Sequence, residues 1–198
     1  MSIHPEGLPA LESGYYEVFG LEPSLTLDTG DLQKRFYHLS RQLHPDRFGR
    51  RPPAEQQYAL DATALLNDAY RVLRNPVQRA EYLLKREGFD IGEQRSQDVP
   101  PELLEEVFEL NMALEELRSG DTDAIGQLEE AAGKFSGILA GIDSSLEALF
   151  RSYDRSREAS VLAQIRGVLN RRRYIQNLVR EVERHVGQDS SCAGLQPG

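Results

Sequence analysis

Apolar residues recur at every third or fourth position along most of this chain, and this spacing constrains the fold more than any other feature. Such spacing places apolar side chains on one face of an α-helix. Stretches in which apolar and polar residues alternate, as in a half-buried strand, are missing from the sequence. The sequence therefore predicts an all-α fold.

Prolines, glycines and capping residues divide this pattern into seven predicted helices. They lie at about 15–19, 28–43, 54–74, 77–87, 101–118, 122–153 and 158–186. A polar segment without periodicity, 89–100, is predicted to be a linker. The expected parts of the chain are an N-terminal extension (1–13), a first helical domain (14–75), a connecting helix and linker (76–99), a three-helix bundle (100–187) and a disordered tail (188–198).

Four glycines interrupt the middle helix of the predicted bundle, namely Gly126, Gly133, Gly137 and Gly141. Each weakens a helix by up to about 1 kcal/mol relative to alanine, because glycine loses the most backbone freedom on folding. Their spacing alternatively permits another helix to approach closely. The sequence is compatible with both alternatives.

Composition argues against several classes of function. The chain has 23 Lys and Arg against 32 Asp and Glu, which disfavours nucleic-acid binding. No apolar run approaches the roughly 20 residues that cross a bilayer, and the first residues lack a signal-peptide pattern, so we expect a cytoplasmic protein without membrane contact. One cysteine, Cys192, excludes an internal disulfide, and no ligand cluster indicates a metal or other cofactor.

Charge is distributed unevenly. Between Lys34 and Arg51 there are six basic residues and one acidic residue, whereas between Glu102 and Glu116 there are six acidic residues and no basic one. Two patches of opposite sign indicate two different partner surfaces. Each patch alone is also compatible with an ordinary solvated face.

The helix predicted at 28–43 is amphipathic and ends in a proline motif. Its apolar face carries Leu32, Phe36, Leu39 and Leu43, and its opposite face carries Lys34, His38 and Arg41. It leads directly into His44-Pro45-Asp46, where the proline ends the helix by forcing the preceding residue out of the helical region. We expect a loop from there through Pro53, with His44 and Asp46 held out on a turn.

A basic amphipathic helix, an HPD turn and a second amphipathic helix resemble the J domain of co-chaperones. Further matches are the segments 15–21, 44–48 and 66–73, followed by Pro76, Arg79 and Tyr82. The resemblance implies that the turn and the basic helix dock on the ATPase domain of a DnaK-type chaperone and promote its ATP hydrolysis. The residues implied in docking are His44, Pro45, Asp46, Lys34, Arg35, His38, Arg41 and Arg47.

The HPD motif is compatible with two further roles. His44 and Asp46 could form an acid–base pair of this chain's own, although no nucleophile, metal cluster or phosphate loop accompanies them. His44 could also simply cap a helix end. Because no other catalytic group accompanies the motif, we expect that the protein is not an enzyme and that it activates the ATPase of a partner.

The segments after the J domain narrow the family. Neither a Gly/Phe-rich segment nor a repeated Cys-x-x-Cys module follows, and the chain continues through 79–84 and 88–90 to an acidic helix. With the Phe19-Gly20-Leu21 opening and the three-helix tail, these segments resemble HscB, the J-type co-chaperone family of iron–sulfur cluster assembly. We expect the J domain and the bundle to form an L-shaped molecule.

The acidic helix carries two apolar stripes. One consists of Leu103, Val107, Leu110, Leu114 and Leu117, and the other of Leu104, Phe108 and Met112, flanked by Glu105, Glu109, Glu115 and Glu116. Either both stripes are buried in the bundle, or the second is exposed as a partner-binding surface. The resemblance favours the second alternative, because in HscB this face binds the IscU-type scaffold. The scaffold-binding residues it implies are Leu104, Phe108, Glu109, Met112, Glu116 and Tyr174.

These features predict a co-chaperone that binds an IscU-type iron–sulfur scaffold and stimulates ATP hydrolysis by an HscA/DnaK-type chaperone, promoting the maturation of iron–sulfur proteins. One alternative is a J-domain co-chaperone that delivers a different client. Another is a structural helical adaptor in which the HPD motif is fortuitous. The chain itself is not expected to bind a cluster, since Cys192 alone cannot supply four thiolates.

Overall fold

The structure is a computed structural model that describes residues 8–89, 101–119, 121 and 124–192. All regular secondary structure in this part of the chain is helical: α1 (Tyr15–Val18), α2 (Thr29–Gln42), α3 (Pro45–Phe48), α4 (Pro53–Arg74), α5 (Pro76–Arg86), a 3-10 turn (Pro101–Leu103), α6 (Leu104–Arg118), α7 (Ala124–Ser156) and α8 (Ala159–Cys192). The predicted all-α class is confirmed. Within these described ranges, no helix combines the length and the apolar character that a membrane span requires.

The largest differences from the predicted helices lie in two places. The predicted loop between His44 and Pro53 contains the one-turn helix α3, because proline is favourable at the first helical position, where an N–H has no partner. Helix α8 continues to Cys192, beyond residue 187 where the disordered tail is predicted to follow. Most of the predicted linker and residues 193–198 lie outside the described residues.

The chain divides into two compact units. The described residues up to Phe89, together with the segment Phe150–Arg157, form the N-terminal unit, and the remaining described residues form the C-terminal unit. Helix α5 thus lies within the N-terminal unit. This division does not test the domain borders predicted from the sequence, which remain a proposal.

Helix α4 is the centre of the N-terminal unit and contacts α1, α2, α3 and α5. Phe36 of α2 and Tyr70 of α4 stack with ring centroids 4.2 Å apart, a contact that stabilises the pair beyond simple burial. The fully buried side chains around it include Tyr16, Leu32, Leu43, Ala62, Leu66 and Leu73. Because α2 packs its apolar face here, its basic face points to solvent.

Two polar residues set the helix boundaries that position the motif region. The carboxylate of Asp28 accepts hydrogen bonds from the backbone N–H groups of Gly30 and Asp31, at 2.8 and 3.1 Å, and so begins α2. Asn75 ends α4 and begins α5, since its side-chain oxygen accepts from Val77 and Gln78 at 3.0 Å each. Pro76 occupies the first turn of α5, where it is tolerated.

One peptide segment of the N-terminal unit is held by two charged side chains. Buried Arg79 donates from Nε and Nη2 to the carbonyl of Leu25, at 3.0 and 2.8 Å. Asp154, in the segment Phe150–Arg157, accepts from the N–H groups of Leu25 and Thr26 and from the hydroxyls of Ser24 and Thr26. Burial opposes ionisation of Asp154, but the hydrogen bonds from Thr26, Leu25 and Ser24 hold the pKa of its carboxyl below the usual value.

The C-terminal unit is held by apolar residues of three helices and by one partly buried ion pair. Arg172 of α8 donates from Nε to Asp143 of α7 at 2.7 Å. The buried residues include Val107, Leu110 and Leu114 of α6, Leu128, Phe135 and Leu146 of α7, and Ile165, Leu169, Ile175 and Val182 of α8.

The glycines of α7 do not serve close helix packing. Among the described residues, a Cβ atom at Gly126, Gly133, Gly137 or Gly141 would meet no atom within 4 Å outside its own helical turn. The alternative that their spacing permits a close helix approach is therefore wrong. They are positions at which the helix loses stability without an evident gain in packing.

Candidate functional site

The HPD motif lies on a short, defined turn. His44 is the N-cap of α3, and its Nδ1 accepts a hydrogen bond from the backbone N–H of Asp46 at 3.3 Å. The backbone N–H of Arg47 donates to the carbonyl of His44 at 2.9 Å. The side chain of Arg47 reaches back to the carbonyl of Arg41 at 3.4 Å, which ties the turn to the end of α2. The turn is thus fixed by contacts within this chain.

Both ionisable side chains of the motif are exposed. His44 leaves 59% of its side chain and Asp46 90% of its side chain open to solvent, with Nδ1 and Oδ2 3.4 Å apart. Nδ1 cannot serve both contacts at once, because accepting from the Asp46 N–H needs a free lone pair and pairing with the carboxylate needs a proton. We favour the cap, since water screens an ion pair this exposed. Such exposure suits contact with another macromolecule better than catalysis within this chain.

The basic face of α2 extends from this turn. Arg35 is fixed, since its Nε pairs with Asp31 at 2.7 Å and its Nη1 donates to the carbonyl of Phe19 at 3.0 Å. His38 contacts the side-chain amide of Gln42 at 3.0 Å. All eight residues of the predicted chaperone-binding set are exposed: Lys34, Arg35, His38, Arg41, His44, Pro45, Asp46 and Arg47. The structure thus brings the set together in the N-terminal unit, on α2 and the turn that follows.

A second exposed surface lies on α6 in the C-terminal unit. The apolar strip, defined as Leu104, Phe108 and Met112, is 55%, 64% and 49% exposed. The other stripe faces inward, with Leu103, Val107, Leu110 and Leu114 buried. Of the two alternatives that the sequence leaves open, the structure supports the one in which the second stripe faces solvent. Three large neighbouring apolar side chains in water are typical of an interaction surface.

Carboxylates border the apolar strip. Glu105, Glu109 and Glu115 are exposed, and Glu116 is half-buried. Beside the strip a cleft of about 350 Å³ opens between α6 and α7. Glu109, Met112 and Glu116 line it from α6, and Gln127, Glu130, Ala131, Lys134 and Phe135 line it from α7. The sequence did not indicate the α7 wall, because its exposed polar residues have the spacing of any solvated helix face.

Tyr174 differs from the exposed residues of the predicted scaffold-binding set. Like Glu116, it is half-buried. Burial, and to a lesser degree the carboxylate of Glu181, raises the pKa of its hydroxyl. Its neighbour Ile175 is fully buried, so this part of α8 lies against the interior of the unit.

The structure shows a small cleft beside the HPD turn that was not among the predicted sites. It has a volume of about 190 Å³ and is lined by Pro45, Phe48, Gly49, Gln56, Ala59 and Leu60. The only signal in the sequence was that Leu60 falls off the apolar face of α4. An exposed leucine is too common to identify a site by itself.

Two family descriptions match the chain. The DnaJ domain matches residues 14–82, and the HSCB C-terminal oligomerisation domain matches residues 99–183. The first match contains α2, the HPD turn and α4, and the second contains the apolar strip. Each candidate surface therefore falls in one of the two matched regions.

Curated relatives and solved structures point the same way. The chain is 32% identical to a "Co-chaperone protein HscB homolog" of Shewanella loihica over 86% of its length and 95% of the relative's. It is 37% identical to one of Vibrio atlanticus over 77% and 92% of the two chains. The chaperone HscB from Vibrio cholerae matches with a TM-score of 0.63 and 27% identity, covering 89% of this chain and 99% of that one. Human co-chaperone protein HscB matches with a TM-score of 0.67 and 26% identity, covering 89% and 83%.

Proposed function

Because the chain belongs to the HscB co-chaperone family, we propose that it binds an IscU-type iron–sulfur scaffold and stimulates ATP hydrolysis by an HscA/DnaK-type chaperone. In this proposal the ATP is hydrolysed by the partner, which thereby closes on the scaffold and helps its cluster to be transferred. The maturation of iron–sulfur proteins is the result. A cytoplasmic location stays a prediction from the sequence.

The observation that carries the proposal is the exposed HPD turn at the end of a basic helix. His44 and Asp46 present polar groups that a partner can contact without rearranging the turn, because α3 and its cap already fix the backbone. Lys34 and Arg41 add positive charge along the same helix, which attracts an acidic partner surface and speeds encounter, and His38 adds an exposed polar ring. These residues would form the chaperone-binding site, with Arg35 held in place by Asp31.

The apolar strip supports scaffold binding. Leu104, Phe108 and Met112 would supply the apolar centre of the contact, and Glu109 and Glu116 its polar border. Aromatic and large aliphatic side chains at such a centre carry most of the binding free energy. Tyr174 would add a contact only through the part of its ring that stays exposed.

The test is to measure both activities on two full-length variants. His44→Gln should return the ATPase rate of the chaperone to its unstimulated value while leaving the affinity for the scaffold unchanged in a calorimetric titration. The triple variant Leu104→Ala/Phe108→Ala/Met112→Ala should weaken scaffold binding by about 100-fold or more, because three large side chains leave the interface. It should stimulate the chaperone like the wild type when no scaffold is present.

The outcomes separate this proposal from its alternatives. Stimulation without scaffold binding by the wild type would indicate a J-domain co-chaperone with another client. If the wild type showed neither activity, a structural adaptor would be the remaining alternative. If either folded variant lost both activities, the two surfaces would not be independent and the two-site proposal would be wrong. Circular dichroism of each variant establishes that it is folded.

A further inference from the structure

The small cleft beside the HPD turn is the right size for one side chain. Helix α3 contributes Pro45 and Phe48 to it, and α4 contributes Ala59 and Leu60. Its volume of about 190 Å³ is below the roughly 300 Å³ from which small-molecule sites begin. A leucine, methionine or phenylalanine side chain fills such a space, whereas a cofactor does not.

Leu60 gives this cleft an exposed apolar wall. It is 57% exposed, although α4 buries its neighbours Tyr58 and Ala59 and is packed along most of its length. Phe48 and Ala59 are both buried and form an apolar base beneath it. A single exposed leucine is ordinary. A leucine that completes a preformed cleft can bury more apolar surface against a partner, because the partner contacts the cleft walls as well.

Three arginines flank the cleft residues of α3 in the sequence. Arg47, Arg50 and Arg51 are exposed and lie in the same short segment as Phe48 and Gly49. The ion pair of Arg51 with Glu55 is long, at 3.9 Å, so it does little to neutralise this charge. An apolar cleft with exposed arginines in the adjoining segment is complementary to an apolar side chain that has carboxylates beside it.

We infer that the cleft receives an apolar side chain of the ATPase chaperone, flanked there by acidic residues, when the chaperone docks on the HPD turn. Pro45 belongs to both the motif and the cleft wall, so a protein that contacts His44 and Asp46 lies next to the opening. This inference rests on the proposed function. The cleft supplies affinity, and the HPD side chains supply the stimulation itself.

The experiment measures the chaperone's ATPase rate as a function of the concentration of the full-length protein. Leu60→Gln should raise the half-maximal concentration by about fivefold, because half a leucine side chain is no longer buried, and should leave the maximal rate unchanged. Gly49→Leu should give a similar increase by filling the cleft from within. Within the part of the chain that the structure describes, a Cβ atom at Gly49 meets only the carbonyls of Asp46 and Pro45, both at 3.9 Å, so the backbone accepts a side chain there.

Two controls make the result specific. Leu11→Gln makes the same chemical change at another exposed leucine of the N-terminal unit, and its half-maximal concentration should equal that of the wild type. His44→Gln should lose the maximal rate, which the cleft variants keep. A wild-type half-maximal concentration for folded Leu60→Gln would overturn the inference, and so would a lower maximal rate at saturation. If the wild type itself gave no stimulation, the proposed function would fail first and the cleft would have no chaperone to bind.

Discussion

Leu25 is hydrogen-bonded through its backbone to two side chains of opposite charge. Its carbonyl accepts from the guanidinium of Arg79, and its N–H donates to the carboxylate of Asp154. Burial alone lowers the pKa of Arg79 and opposes the ionisation of Asp154. Hydrogen bonds to the polar groups around Leu25 let both side chains stay charged at low exposure, where an unsatisfied charge would be costly.

The pKa of Asp154 leads to a prediction about stability. Because its pKa is lowered in the folded protein, its contribution is present above the unfolded value of about 4 and is lost as the pH falls through the folded value. Asp154→Asn should therefore lower the free energy of unfolding by about 1 to 2 kcal/mol at pH 7 and by less at pH 2. Urea unfolding at the two pH values measures this.

Asp68→Asn is the matched control for Asp154, since Asp68 forms an exposed ion pair with Arg71 at 3.0 Å. It should change the free energy of unfolding by at most about 0.5 kcal/mol at either pH. An equal loss from Asp154→Asn at pH 7 and pH 2 would mean that charge is not what its hydrogen bonds stabilise.

Single residues differ in how far the sequence reveals them. The HPD turn is contiguous, so His44, Pro45 and Asp46 could be read directly. Asp154 could not, because its partners lie 128 to 130 residues earlier in the chain. The exposure of Leu60 likewise depends on where α3 packs against α4. Only contacts that are local in sequence leave a local pattern.

At the scale of helices, prediction worked where the boundary signals are local. Asp28 and Asn75 cap helices with their own side chains, and the predicted boundaries there are correct to within one or two residues. Helix α3 was missed because four residues are too few to show a period. On α6 the sequence separated two apolar stripes but could not decide which faces solvent, since that depends on how many helices cover it.

The glycines of α7 predict that this helix can be stabilised. Gly137→Ala should raise the free energy of unfolding by about 0.5 to 1 kcal/mol, because alanine has less backbone entropy to lose and its methyl group meets no neighbour among the residues that the structure describes. A shift of the urea midpoint measures the gain. Gly20→Ala should do the opposite, since Gly20 has a φ of 60°, where a side chain is strained. A loss of stability in Gly137→Ala would show that this glycine has a packing role.

At the scale of the whole molecule, two surfaces of different chemistry lie in separate compact units. The N-terminal unit carries the basic helix with its HPD turn, and the C-terminal unit carries the apolar strip with its carboxylates. Two charge patches in the sequence predicted this separation, but the assignment of Phe150–Arg157 to the N-terminal unit was beyond it. A segment that joins a unit from far along the chain leaves no compositional signal.

If both sites must belong to one molecule, two half-defective variants cannot replace the wild type together. A mixture of full-length His44→Gln with the triple variant of the apolar strip should give none of the extra ATPase stimulation that the scaffold produces with the wild type. The reason is that linkage within one chain supplies a high effective concentration of scaffold near the chaperone. Full recovery in the mixture, in a coupled ATPase assay, would mean that the two sites act independently.

The N-terminal unit is assembled from two separate segments of the chain, and this also bears on how the protein is synthesised. Its main part ends near residue 90, yet its last segment begins at Phe150. A ribosome that adds about 5 to 20 residues per second needs roughly 3 to 12 seconds to synthesise the intervening chain. During that time Asp154 does not yet exist, so Leu25 and Thr26 have no carboxylate to bind. The hydrogen bonds from Leu25 and Thr26 to Asp154 therefore form only after most of α7 has been translated. Until then the J domain lacks this part of its stabilising contacts.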